Sequence, residues 1–278
     1  MIKKLFLMGF FVLILIGLTS AEILAQWDLL ANESATQSDD DVNPGNFVAG
    51  PGINNLSAES PDYTTIISPG GGTFSITPSG ASANGWSNSS LNSDDYFQIS
   101  LSPKLGFSLN INSINFGEAR RSDGITEYQV QWSKDLSFSS PTSIATVNVP
   151  DNDLGRMGDI SGLNINVDSG ETIYIRFFGY NAEFSDGPWS ILASINNAGV
   201  DSPLRVEGTT FIFCGDVNND GESSNILDLT YLVDYIFRGG PAPVPLLRGD
   251  LNNDDKTNIL DLTYLVNYIF RGGPEPIC

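Results

Sequence analysis

The chain has 278 residues, enough for one large domain or two modest ones, each with a core of its own. It carries 33 acidic against 13 basic side chains, a formal charge of −20, so its surface repels nucleic-acid phosphates and anionic lipid heads and suits divalent cations. Histidine is absent, which removes Ser-His-Asp and Cys-His catalysis and the commonest zinc ligand, leaving carboxylates, Lys or Tyr for any chemistry.

Lys3 and Lys4 precede an apolar run from Leu5 to Leu18, followed by small-residue cleavage options ending at Ala21 or Ala25. This order reads as a secretory signal peptide over residues 1–25. The alternative is an uncleaved anchor, but the run is shorter than the ~20 residues a bilayer crossing needs. No later stretch is apolar enough to span, so an exported protein with no membrane insertion after cleavage is expected. Residues 26–60 are rich in Asn, Ser, Asp, Gly and Pro, a polar segment with an edge strand expected around Trp27 to Leu30. Its acidic run, Asp39 to Asp41, is either a cation site or a solvated loop.

From residue 61 to 213 the apolar period becomes two. Strands are expected at Tyr63–Ile67, Thr73–Thr77, Tyr96–Leu101, Phe107–Phe116, Glu127–Trp132, Ile144–Val149, Leu163–Val167, Thr172–Gly179, Trp189–Ile195 and Leu204–Val206. Phe107, Leu109 and Ile111 alternate with Ser108, Asn110 and Asn112, so one face of each strand is buried. Asn84-Gly85, Asp123-Gly124, Ser169-Gly170 and Asp186-Gly187 supply turn chemistry between them. Short strands closely spaced by turns, without a helical period, predict an antiparallel β-sandwich of jelly-roll type.

Trp86, Trp132, Tyr180 and Trp189, with Phe184, stand beside polar loops. Flat aromatics next to Asn and Asp stack on sugar rings and bond their hydroxyls, so these residues are candidates for binding polysaccharide. The same rings could instead fill the core. Asp94, Asp95, Glu118, Glu127, Glu171, Glu183 and Asp186 are available as carboxylates for glycoside hydrolysis, but no spacing singles out an acid and a nucleophile. A secreted glycoside hydrolase is therefore the alternative to a non-catalytic protein, and an adhesion or surface protein is a third.

Residues 214–278 contain one text written twice, GDVNNDGESSNILDLTYLVDYIFRGGPAP over 215–243 and GDLNNDDKTNILDLTYLVNYIFRGGPEP over 249–276. In the second copy Asp250, Asn252, Asp254, Lys256, Asn258 and Asp261 fall at positions 1, 3, 5, 7, 9 and 12, the oxygen spacing that wraps calcium, with Lys256 giving its backbone carbonyl. The first copy offers Asp216, Asn218, Asp220, Glu222 and Asp228, with one extra residue at Ser223-Ser224 that must bulge out. Gly221 suits the left-handed turn at position 6; the second copy has Asp255 there. Each loop runs into one amphipathic helix, with Leu229, Leu232, Val233, Ile236 and Phe237 matched by Leu262, Leu265, Val266, Ile269 and Phe270 on one face. Arg-Gly-Gly-Pro ends both helices. No helix is expected before either loop. Cys214 and Cys278, the only cysteines, bracket this tail and read either as a disulfide or as free thiols.

Two tandem loop-helix calcium repeats resemble the type I dockerin domain over the whole of 214–278. The resemblance implies a small all-α module holding two calcium ions, with the residues above as ligands, that plugs into a cohesin-type domain on a scaffold or cell-surface protein. It implies chain ends lying close together, which favours a Cys214–Cys278 bond. Partner contacts in such modules cluster at loop positions 10 and 11, here Ile226, Leu227, Ile259 and Leu260, apolar where hydroxyls are common. The chain is thus expected to be an exported protein whose tail docks calcium-dependently and presents the sandwich.

Overall fold

A computed structural model describes residues 21–30, 32–54, 64–67, 72–77, 80–150, 154–195, 200–201 and 203–278. The leader up to residue 20 and Tyr63, an expected strand start, lie outside these residues. The strands are β1 (Glu22–Trp27), β2 (Gln37–Ser38), β3 (Val42–Pro44), β4 (Val48–Ala49), β5 (Thr64–Ile67), β6 (Thr73–Thr77), β7 (Gly80–Ala83), β8 (Tyr96–Pro103) and β9 (Ser108–Arg120). They continue as β10 (Glu127–Ser133), β11 (Thr142–Asn148), β12 (Arg156–Ile160), β13 (Ile165–Val167), β14 (Ile173–Tyr180), β15 (Trp189–Leu192), β16 (Ser194–Ile195), β17 (Val200–Asp201) and β18 (Leu204–Phe211). Helices α1 (Ile226–Arg238) and α2 (Ile259–Arg271) follow.

Two antiparallel sheets form the sandwich. One runs β2-β1-β18-β9-β15-β7-β6-β5, with β12 and β13 also on β9; the other runs β11-β10-β14-β8-β3, with β4 also on β8. The inner faces are the apolar halves of the alternation: Phe97, Ile99 and Leu101 of β8 and Ile173, Ile175 and Phe177 of β14 share one core with Leu109, Ile111, Ile114 and Phe116 of β9. In β9 the buried set changes from odd to even numbers after Ile111. The pairing with β18 slips there, Gly208 facing Ile111 and Glu207 facing Ser113, so a bulge returns the later half of the strand to the core. A Cβ on Gly208 would sit 2.0 Å from the Asn110 carbonyl oxygen, which leaves only glycine at the slip.

The sandwich starts earlier than the polar segment expected over 26–60 allowed. β1 pairs with both β18 and β2, so it is an interior strand, and β3 and β4 join β8. The physical reason is burial: Leu24, Ala25, Trp27 and Leu29 are enclosed in the core. The tail has its own small core, Val217, Leu232, Leu251 and Leu265, each residue the repeat of another, with Tyr231, Tyr235, Tyr264 and Tyr268 packed around it. Phe237 and Phe270, expected on the buried faces, are exposed instead. The tyrosines close the helix pair, and the hydroxyls of Tyr231 and Tyr264 donate to the Ala242 and Glu275 carbonyls after each helix.

Candidate metal centre and docking face

In the second loop the carboxylates of Asp250, Asp254 and Asp261 lie within 4.8 Å of one another. Asp261 is buried; its Oδ1 accepts from the Leu251 and Asn252 N–H groups at 2.9 and 3.3 Å and its Oδ2 from Asn258 N–H at 2.7 Å. That last bond is half of a capping box, whose other half is the Asn258 side chain accepting from the first turn of α2. One carboxylate therefore closes the loop and starts the helix. Asp250 accepts from Asp254 N–H at 3.0 Å and Asp255 N–H at 2.8 Å, which curls the loop around it. Asn253 and Asp255 take left-handed backbone, φ 56° and 63°, the conformation anticipated at position 6.

The first loop repeats the plan. Asp228 accepts from Val217, Asn218 and Asn225 N–H groups at 2.8, 3.3 and 2.9 Å, and Asn225 caps α1 in the same box. Asp216 accepts from Asp220 N–H at 3.0 Å, and Glu222 N–H donates to Asp220. The additional residue is taken up where Ser224, at φ 59°, donates its N–H to the Gly215 carbonyl. Burial pushes the Asp228 and Asp261 carboxyls above their usual range; the backbone donors pull the other way, and Asp216 and Asp250 add to the push.

This donor set fits a calcium ion on two grounds. It consists of hard oxygens, carboxylate, amide and backbone carbonyl. It also contains a buried acceptor without a hydrogen-bond partner among the described residues, the Asn252 Oδ1 at position 3. Asp216, Asn218, Asp220, Asp228 and the Glu222 carbonyl would hold one ion, and Asp250, Asn252, Asp254, Asp261 and the Lys256 carbonyl the other. Each of the two loops feeds a capped helix, and both helices share one core.

Residues 214–270 match the dockerin type I domain. No curated protein matches the chain. Among solved structures, one from Clostridium perfringens in complex with GalNAc-beta-1,3-galactose is 17% identical, with 40% of this chain and 65% of that chain covered and a TM-score of 0.23. A family 29 carbohydrate-binding module is 12% identical over 59% of this chain and 89% of that one, TM-score 0.28. The cleaved adhesin domain of Lys-gingipain is 11% identical over 54% and 95%, TM-score 0.27. At such scores the likeness says nothing about a ligand.

Cys214 and Cys278 are bonded, with Cα atoms 5.6 Å apart, so the dockerin module is closed where it begins. At the starts of α1 and α2, Ile226, Leu227, Ile259 and Leu260 are all exposed, as a docking face requires. A one-turn 3₁₀ helix, Leu246–Gly249, precedes the second loop where none was expected. It carries Arg248, a fully buried side chain that sequence reasoning missed. Its Nη1 donates to Asp216 Oδ2 at 2.7 Å and to the Asp216 carbonyl at 3.0 Å, while Nε donates to the Gly106 carbonyl of the β8–β9 turn at 2.8 Å. The first loop and the sandwich are thus tied to one guanidinium.

The sandwich aromatics proposed for sugar are placed elsewhere. Trp86 and Trp189 are enclosed in the core, ring centroids 5.3 Å apart in a T-shaped contact, and Trp189 stacks on Tyr128. Trp132 packs against the same core. Tyr180 is buried on the outer side of β14. Trp86, Trp189 and Tyr180 are therefore closed to solvent, and Trp132 is partly buried against the core; only Phe184 of that group is exposed. Two of the acidic candidates are structural. Glu118 is buried and bound by Arg156 at 2.6 and 3.1 Å and by the Trp189 indole N–H at 3.0 Å. Asp95 is buried and accepts from Ser87 N–H and the Asn92 amide.

Proposed function

We propose that this is an exported, non-catalytic attachment protein: its dockerin module binds two calcium ions through the ligands named above, docks to a cohesin-type partner, and carries a sandwich that binds carbohydrate. The observation that carries the reading is the shared carboxylate. Asp228 and Asp261 each close a loop and complete the capping box of the helix that follows, so ordering the loops around a cation sets the two helix starts. Those starts bear Ile226, Leu227, Ile259 and Leu260. Calcium, when bound, neutralises the crowded carboxylates; the chain's own residues position the face. Among the described residues no helix is long and apolar enough to cross a membrane, which is compatible with export.

The test is surface plasmon resonance of the full chain against purified cohesin-type domains, in calcium and then in chelator. Binding that disappears with chelator is expected. A second reading, calcium as a structural staple without docking, is favoured by the buried Arg248 tie to the sandwich; it wins if no cohesin-type domain binds while calorimetry still detects calcium uptake.

A further inference from the structure

The outer face of the second sheet carries a groove of about 540 Å³ whose lining includes Asp94, Tyr96, Gln131, Leu136, Phe138 and Arg176. That volume lies in the ~300 to ~1,000 Å³ range of small-molecule sites. Strand register builds its floor. Arg176 of β14 lies opposite Gln98 of β8 and Gln131 of β10, and Phe178 lies opposite Tyr96. These positions have the outward parity, the reverse of the core residues Ile175 and Phe177.

Arg176 is clamped in place. Its guanidinium carbon sits 3.9 Å from the ring centroids of both Tyr96 and Phe138, Nε donates to Gln98 Oε1 at 2.8 Å, and Nη2 donates to the Leu136 carbonyl at 2.9 Å. Among the described residues, Nη1 has no hydrogen bond and no carboxylate forms a salt bridge to this buried cation. A fixed, planar donor thus faces an open groove with one N–H-bearing nitrogen, Nη1, that a ligand oxygen can take. The wall beside it is prebuilt: Asp135 accepts from the Ser137 and Ser139 N–H groups at 2.9 and 3.4 Å, and Phe138 is held at φ 54°, uncommon for an aromatic residue. Leu136 stands exposed on that wall.

The geometry points to this groove as the sandwich's saccharide site, taking a neutral polysaccharide chain. It rests on the carbohydrate-binding reading above and names the place and the class of sugar. Paired ring hydroxyls would accept from Arg176 and bond to the Gln131 amide, and the apolar C–H face of a pyranose would lie on Leu136 and the Tyr96 edge. Asp94, which also lines the groove, would accept further hydroxyls and repel sugar carboxylates, and the overall charge of −20 repels them too. The groove therefore disfavours uronate polymers.

The test is affinity electrophoresis and titration calorimetry of the full chain, in calcium, on β-glucan, xylan, galactan and polygalacturonate. Gln131→Ala and Leu136→Ala alter groove positions outside the core, and thermal unfolding checks that each variant folds; Arg176→Met is the stronger but riskier change. A neutral glycan is expected to bind and to lose about fivefold to tenfold affinity in each of the first two variants, the loss of one hydrogen bond or one apolar contact. A wild type that binds glycan with the variants unchanged overturns the groove and leaves the carbohydrate reading standing. A preference for polygalacturonate overturns the neutral class. No binding to any glycan overturns both readings.

Discussion

Arg248 Nη1 lies 2.7 Å from Asp216 Oδ2, with both side chains almost fully buried. The pair sits inside the module, yet its cation also bonds to Gly106 of the sandwich. Removing one partner of a buried ion pair leaves a charge without compensation, at a cost of about 3–5 kcal/mol. Arg248→Met should therefore lower the stability of the metal-free chain by roughly that much in denaturant unfolding. A cation in the first loop would also neutralise Asp216, so the rise in melting temperature on adding calcium should be larger in the variant than in the wild type. An equal rise in both would mean that Asp216 does not face the ion.

Asp261→Asn keeps an oxygen for the Leu251 and Asn252 N–H groups while removing the charge. Calorimetry should then count one calcium per chain, against the two expected for the wild type. Chelation of the wild type should reduce the helical signal of α1 and α2 and leave the β signal of the sandwich nearly unchanged.

A docking face can be broken without disturbing the metal. Leu227→Asp and Leu260→Asp place charge on exposed positions, where stability typically changes by within about 0.5 kcal/mol. Cohesin-type binding should fall at least tenfold, with calcium stoichiometry and melting temperature retained.

The Asp95 carboxyl titrates above its ordinary range, chiefly through burial, with Ser87 N–H and the Asn92 amide opposing and Asp94 adding to the rise. Its folded pKa exceeds its unfolded one, so the folded state holds the extra proton between the two values. Its contribution to stability is complete below the ordinary value of 3.8 and is lost as pH rises through the folded pKa. Unfolding free energies measured across that window should fall with rising pH in the wild type relative to Asp95→Asn. Parallel curves would show that Asp95 is not so perturbed.

Of the cleavage options at Ala21 and Ala25, the structure favours the first. Cutting after Ala25 would remove Leu24 and Ala25, both enclosed in the core, and most of the pairing of β1 with β18. If the leader is cleaved as proposed, N-terminal sequencing of the mature chain should begin at Glu22; a start at Gln26 would leave β18 without most of its partner strand.

What could be read from the residues was whatever is contiguous. Both acidic loops, their caps and their helices lie within one short stretch each, and the strands rich in β-branched alternation, such as β14, appear where expected. β7, Gly-Ala-Ser-Ala, and β12, Arg-Met-Gly-Asp-Ile, have no such pattern and form because neighbours in the sheet hold them. Trp132 and Trp189 were placed beside loops, but their parity with Val130 and Ile191 marked them as inward-facing. Tyr96, Arg176 and Phe178 occupy the outward positions of their strands, and only the register of β8, β10 and β14 brings them together. Arg248 gave no local signal, since Gly106 is 142 residues away along the chain.

β18 lies between β1 and β9 and leads almost directly into Cys214, the closed base of the module. If the module is held by a partner and the sandwich by a surface, as proposed above, tension would be delivered along β18. Its antiparallel neighbours on both edges then resist by shear, so the hydrogen-bond rows to Gln26 and Trp27 on one side and to Asn110 and Asn115 on the other must yield together rather than unzip one at a time. An interior strand as the exit from the sandwich makes the joint a mechanical tether as well as a connection.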